Sequence, residues 1–505
     1  MKNQYFTKGQ FFGLILGLIG GFLLFIFPVA PENLIASRTA AIVFLMASWW
    51  LTEAIPIAAT SLIPLVLFPL LGILSAKQVS NSYINNIIFL FIGAFMIAIT
   101  VEKWDLHRRI SIKLIKTIGN SPARMLLALM LASWLLSMLI NNTSTTMLML
   151  PIALSIILQM EETNDKQKVK NFAIAMLLGI AYASSIGGIA TLVGTVPNLV
   201  FARIFEMTFP AGPKINFSTW MMTGMPISVI MLVVAWLILK FSLLNRKNNL
   251  TIDSDYIIAE NKKLGKMSYE EKVVSFLLLA LTLLWIFRVD LKIGTFTITG
   301  WSDIFTFGKM FDDSTIAIGI AALLFLIPSR SKKGKFLADN TIFKGIPWHI
   351  IILFGGGFAV ADAFKETELA EIISSNLTFM SGIHPIIIIM IISALLMLLT
   401  ELTSNTATTQ TILPILAATA IGMHINPLLL MVPATISASM AFMLPVATPP
   451  NAIVFGSGRL KIYEMARIGV MVNFSAMVVI SLMFYYLGMF FYNINPNSFP
   501  WWAQQ

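Results

Sequence analysis

Six consecutive uncharged polar residues, Asn141 to Thr146, stand between two strongly apolar runs in the stretch LINNTSTTMLMLP, and a helix buried in an apolar core has no use for them. The same design returns at Ser404 as SNTATTQTILP. At an offset of 263 it matches at Asn142/Asn405, Thr143/Thr406, Thr145/Thr408, Thr146/Thr409, Leu150/Leu413 and Pro151/Pro414. That offset also pairs FIGAFMIA, from Phe91, with FGGGFAVA, from Phe354. Further on, VGTVPN at Val193 is answered by VATPPN at Val446, with ten residues lost in between. The chain is an internal duplication, so its fold must contain two related halves.

Those halves lie in a membrane. Hydrophobic residues make up 57% of the 505 and charged residues only 11%, against about 25% charged in an ordinary soluble chain. Apolar stretches approaching the roughly 30 Å needed to cross the hydrocarbon core recur throughout, with no long polar region to mark a separate soluble domain. About eleven spans are expected, near 11–28, 39–55, 57–73, 87–101, 171–206 with a break, 219–243, 273–287, 314–328, 346–361, 427–458 with a break, and 468–492. The basic, apolar N-terminus is read as the first span because it has no small-residue cleavage site. The expected fold class is an all-α integral membrane protein in two inverted repeats, each with a re-entrant helical hairpin. The first half is 1–245 with a hairpin at about 121–160, the connection is 246–272, and the second half is 273–505 with a hairpin at about 383–422.

Charge sets the orientation. The net charge of +10 sits in short loops beside apolar segments, a pattern that orients a membrane protein and implies no nucleic-acid partner. Lys103, Arg108, Arg109, Lys113, Lys116 and Arg124 mark 102–124 as cytoplasmic, as the basic residues of 329–345 mark that loop, whereas 362–371 holds four acids and one lysine and belongs outside. The N-terminus is then cytoplasmic and the C-terminus outside, in the plasma membrane. One hairpin follows a cytoplasmic loop and the other an external one, so the copies are inverted, the sequence sign of a secondary transporter with its site near the midplane.

The tips have suitable chemistry. Each Asn-Thr pair precedes a helical arm, where unpaired N–H groups carry the positive end of the dipole and bind anions, and amide and hydroxyl groups add donors without a fixed cation. Two such tips suit a ligand with two carboxylates. Carbonyl and hydroxyl oxygens at the same breaks can alternatively coordinate a small hard cation.

NNT and SNT at hairpin tips, each followed by a GTVPN or ATPPN loop that breaks a later helix, resemble the divalent anion/sodium symporter family of di- and tricarboxylate transporters. The resemblance covers nearly the whole chain. It implies eleven helices with two re-entrant hairpins, a homodimer through a scaffold domain, and elevator movement of a transport domain. It places Asn142, Thr143, Ser404, Asn405 and Thr406 on substrate carboxylates, with Thr195, Thr448 and Pro449 beside them. It places one sodium on Ser137, Asn141, Asn142 and Gly194, and a second on Thr400, Thr403, Asn405 and Ala447. Asn141 departs from the serine usual in the family. A larger amide there is expected to weaken the first cation shell, which favours sodium-independent exchange of C4–C5 dicarboxylates such as succinate, malate or 2-oxoglutarate, with citrate as a further candidate, over sodium-coupled symport, the alternative.

Glu53 and Glu401 stand near membrane depth, where ionisable groups are functional candidates. His107, His349, His384 and His424 lack ligand spacing and read as structural or interfacial. The glycines of FGGGFA read as close helix packing and Arg108 to Gly119 as an interfacial amphipathic helix. With no cysteine, no paired histidines and no nucleotide loop, no enzyme and no cofactor beyond a coupling sodium is expected. An anion channel is the remaining class, and dipolar tips favour an occluded site over a continuous pore.

Overall fold

In a computed structural model, residues 7–119, 121–244, 259, 261–293, 296–331, 335–375, 384–496 and 498–504 are described. Most of the expected connection 246–272 lies outside them.

Helices begin where short polar side chains cap them. Asn33, Asn85, Ser121, Asn216, Ser268 and Asp312 each accept a backbone N–H of the first turn, so the capped ends sit where apolar runs emerge from the membrane. All eleven expected spans are present as helical segments. Among the described residues eight helices, the first hairpin's return arm Asn142–Thr163 among them, are long and apolar enough to cross a membrane, and five shorter apolar helical segments include the first arms of both hairpins, Pro122–Ser137 and Pro385–Thr400. The span near 57–73 is two short helices, Ile57–Thr60 and Ile63–Leu70. One departure from an all-helical fold is an antiparallel ribbon, Leu291–Ile293 with Phe296–Ile298, in register Leu291 to Ile298. Its two-residue alternation is the period of a strand and is too short to set a fold class.

Both hairpins form. The first has arms Pro122–Ser137 and Asn142–Thr163, which both pack on Lys166–Gly188; the second has arms Pro385–Thr400 and Asn405–Gly422, which both pack on Leu428–Ala438. The return arm of the first hairpin runs 22 residues, long enough to span, and ends at Thr163, just beyond the expected bound of about 160. Apolarity ends before the helix does: its last turn carries Glu161, whose carboxylate Arg459 clamps at 2.5 and 3.1 Å.

Contacts sort the loops onto two faces. On one, Gln10 bonds the Glu53 carbonyl, Lys103 pairs with Asp339, Arg109 with Glu271, Arg459 with Glu161 and Lys170 with Glu464. On the other, Asn33 bonds the Thr367 carbonyl, Lys365 the Met207 carbonyl, and Arg288 pairs with Asp313. Every pair joins loops that the expected topology puts on one side, so the hairpins enter from opposite faces. On the first face Lys103 and Thr341 hold the Asp339 carboxyl well below its usual range.

The FGGGFA glycines serve packing. A Cβ on Gly355, Gly356 or Gly357 would strike Tyr83, Ser61 or Gln410 respectively, so helix Trp348–Glu366 meets three elements within one turn. The third is the return arm of the second hairpin, whose Gln410 amide donates to the Leu353 carbonyl at 3.0 Å. The amphipathic helix forms as Leu106–Ile118, with Ile112 and Ile115 buried and Arg108, Lys113 and Lys116 exposed.

Candidate transport site

Each hairpin owes its tip to a local conflict. The apolar first arm can continue as helix only until the Asn-Thr run, whose side chains bond nearby backbone better in a turn or cap than in a helix interior. Helix then restarts with Asn142 and Asn405 as the first residues of the return arms. The later helices break in matching fashion. Lys166–Gly188 resumes as Val196–Thr208, and Leu428–Ala438 resumes as Pro449–Phe455, with proline in each first turn. Thr195 and Thr448 precede these restarts in the same extended conformation, φ −142° and −140°.

Asn198 and Asn451, the asparagines of VPN and PPN, secure the breaks identically. Asn198 Nδ2 donates to the Gly188 and Thr191 carbonyls at 3.2 and 2.8 Å, and Asn451 Nδ2 to the Ala441 and Leu444 carbonyls at 3.2 and 3.0 Å. The two repeats then cross over. Pro449–Phe455 packs on the return arm of the first hairpin and Val196–Thr208 on that of the second, which brings both tips and both breaks to one place.

That place is a cavity of about 950 Å³. All eight residues expected to touch substrate line it: Asn142, Thr143, Thr195, Ser404, Asn405, Thr406, Thr448 and Pro449. Of the residues expected around cations, Asn141, Gly194, Thr403 and Ala447 also line it, whereas Ser137 and Thr400 lie buried behind the tips. Glu53, Thr7, Gln10, Gly345 and His349 line it too, on the face that carries the basic loops. His349 is thus a cavity residue, unlike His384, which caps the second hairpin, and His424, which stacks on Phe499.

The tips are not equivalent. Asn141 Oδ1 accepts from Ser144 N at 2.8 Å, and its amide donates to Ser144 Oγ at 3.1 Å. Ser404 makes no such cap, so the second tip leaves one more N–H free to meet an anion. Asn141 therefore spends its side chain on the helix N-terminus and does not crowd a cation shell. The expected weakening of the first site has no structural basis.

Both clusters suit a small hard cation. At the first, a methyl on Gly194 would lie 2.6 Å from the Gly188 carbonyl oxygen and 3.0 Å from that of Ser137, and one on Gly188 would strike Asn142 Oδ1, so glycine at each position leaves room beside these oxygens. Ser137 Oγ donates to Asn142 Oδ1 at 2.8 Å and to the Ser184 carbonyl at 2.6 Å. At the second, Asn405 Oδ1 is buried without a partner. The Thr400 hydroxyl donates back to Leu396 and Met397 and keeps its lone pairs. No group of three His, Cys, Asp or Glu side chains stands ready for a metal among the described residues. Neutral oxygens fit sodium better than a transition metal.

Glu401 is where sequence reasoning had least to offer. Its buried carboxylate accepts from Phe442 N, Met443 N and Leu444 N at 2.8 to 3.1 Å and from Asn473 Nδ2 at 2.8 Å, so it faces the second break and not the cavity. Its donors are mostly backbone groups, which leave no mark in a sequence.

Two inverted hairpins and two broken helices around one cavity define a secondary-transporter architecture. MtrF of Neisseria gonorrhoeae shares the fold at TM-score 0.55 and 11% identity, covering 84% of this chain and 85% of that one. The YdaH transporter of Alcanivorax borkumensis shares it at 0.53 and 11%, covering 82% and 86%. The family described as the sodium:sulfate symporter transmembrane region matches residues 10–493, and the chain belongs to that family, the divalent anion/sodium symporters. Similar relatives are the sodium-dependent dicarboxylate transporter SdcS of Staphylococcus saprophyticus, 42% identical over 96% of this chain and 93% of that protein, and SdcS of Staphylococcus aureus, 41% identical over 98% and 95%.

Proposed function

We propose that the chain is a sodium-coupled carrier of C4–C5 dicarboxylates. The observation that carries this is the charge of the cavity: among the described residues that line it there is no lysine or arginine, and its ionisable side chains are Glu53 and His349. A dianion leaving water for such a site needs compensating positive charge. An exchanger would draw it from fixed basic groups, whereas a symporter brings it with the ions. This reading replaces the exchange expected from Asn141, and the sodium-dependent relatives agree with it.

In this reading the helix N-termini at Asn142 and Asn405 each receive one carboxylate, assisted by Thr143, Thr406 and Ser404, while Thr195, Thr448 and Pro449 shape the wall. Sodium occupies Ser137, Asn142 and Gly194, with Asn141 contributing only through the cap, and Thr400, Thr403, Asn405 and Ala447. The cavity opens toward the basic loops, which the positive-inside rule makes cytoplasmic. Hairpins and broken helices move together as a transport domain against the remaining helices, in the elevator manner. The homodimer through that scaffold is carried by the family resemblance.

Uptake of labelled succinate into empty proteoliposomes tests the proposal. An inward sodium gradient is expected to drive accumulation that choline abolishes. Uptake that ignores sodium and requires a preloaded dicarboxylate would overturn it.

A further inference from the structure

The structure assigns to Glu401 the role of a positioning residue that makes the second cation cluster the stronger of the two, an inference that rests on the sodium-coupled reading. Glu401 directly follows Thr400 and precedes Thr403 and Asn405, three of the four residues of that cluster. It is 2% exposed. All its hydrogen-bond partners are donors, as a carboxylate requires: three successive backbone N–H groups, at 442 to 444, and the Asn473 amide. The three N–H groups form a concave nest of the kind that holds an anion. Here the protein supplies the anion itself.

The nest lies at the foot of the second break. Leu444 donates to Glu401 through its N–H, and its carbonyl accepts from N–H of Ala447, the fourth residue of the cluster, at 3.2 Å. One carboxylate is thus tied to both sides of the second cluster, by chain on the hairpin side and by hydrogen bonds on the break side. Every group it bonds is neutral, so no basic side chain pairs with it, and its carboxylate favours a cation in the adjoining cluster.

The first cluster has no counterpart. At the offset of 263 the position of Glu401 is Met138 in the first repeat, and tip and break are joined there by the Thr191 hydroxyl donating to the Met138 carbonyl. Cluster one is built of neutral oxygens alone, and cluster two of neutral oxygens backed by an anion. Two sodium ions bound in series are then held unequally, with the second cluster filling first.

Sodium titration of the purified protein at constant ionic strength, with choline as the replacement, reads this by thermal stabilisation and by uptake in proteoliposomes. Glu401→Gln removes the charge at nearly constant volume. It is expected to weaken apparent sodium affinity about tenfold or more, while the dicarboxylate KM at saturating sodium moves by less than about threefold. A merely structural role would lower sodium and dicarboxylate affinity together, and that result, or unchanged sodium affinity, overturns the assignment. A second comparison leaves Glu401 in place and decides the matter even if the glutamine variant does not fold. Thr400→Ala should abolish the tighter component of sodium stabilisation and Ser137→Ala should spare it; the reverse, or equal losses, overturns the inference while leaving sodium coupling intact. A wild-type protein indifferent to sodium removes both.

Discussion

In the first repeat the hydroxyl of Thr191, in the break, donates to the carbonyl of Met138, behind the tip. In the second, the carboxylate of Glu401, behind the tip, accepts from the N–H of Leu444, in the break, at 2.9 Å. The four residues are two pairs of equivalent positions, 138 with 401 and 191 with 444. Tip and break are therefore joined at the same place in both halves, but the side chain comes from the break in one and from the hairpin in the other, and only one junction carries a charge. The asparagine amides at 198 and 451 kept both partners and both spacings. Duplication preserved the geometry that places the tips and let the electrostatics behind them diverge.

The largest expected effect breaks the charged junction. Glu401→Ala leaves the N–H groups of Met443 and Leu444 and the Asn473 amide without an acceptor, at about 1–3 kcal/mol each, while Phe442 N keeps Asn473 Oδ1, and should lower stability by several kcal/mol in thermal unfolding of detergent-purified protein. Thr191→Val removes one hydroxyl, which also accepts from Gly194 N at 3.1 Å, and should cost less, about 1–3 kcal/mol in all. Equal losses would mean that the junctions do not differ as described.

Next come the tips. Asn142→Ala and Asn405→Ala should each weaken dicarboxylate binding about ten- to hundredfold, the worth of one hydrogen bond to a charged group, with both proteins folded and inserted. Near-normal uptake by both variants would remove the tips from the site.

The smallest contrast is expected where the repeats agree. Asn198→Ala and Asn451→Ala each remove two bonds from one amide and should destabilise by about 1–3 kcal/mol, to nearly the same extent. A large difference would show that the likeness of the breaks is superficial.

Much of this was legible: apolar runs mark the eleven spans, and the doubled motifs NNT, SNT, GTVPN and ATPPN mark both tips and both breaks, whose eight singled-out residues line one cavity. The crossover was not, since which hairpin each broken helix packs on is decided by three-dimensional fit. Asn141 misled because an amide in place of the family's serine suggested a weakened cation shell, while the helix N-terminus beside it claims the side chain. Thr7, Gln10 and His349 reach the cavity from elements far away in sequence, with no motif to announce them.

That both tips serve one ligand is tested most directly by cysteine protection, for the chain has no cysteine of its own. Ser144→Cys beside the first tip and Leu402→Cys beside the second both place a thiol on the cavity wall without touching an assigned substrate contact. With sodium present, succinate should shield both from a membrane-permeant maleimide with the same half-maximal concentration, and with choline it should shield neither. Shielding of one site alone, or of the two at concentrations differing tenfold, would contradict a single ligand held between the repeats.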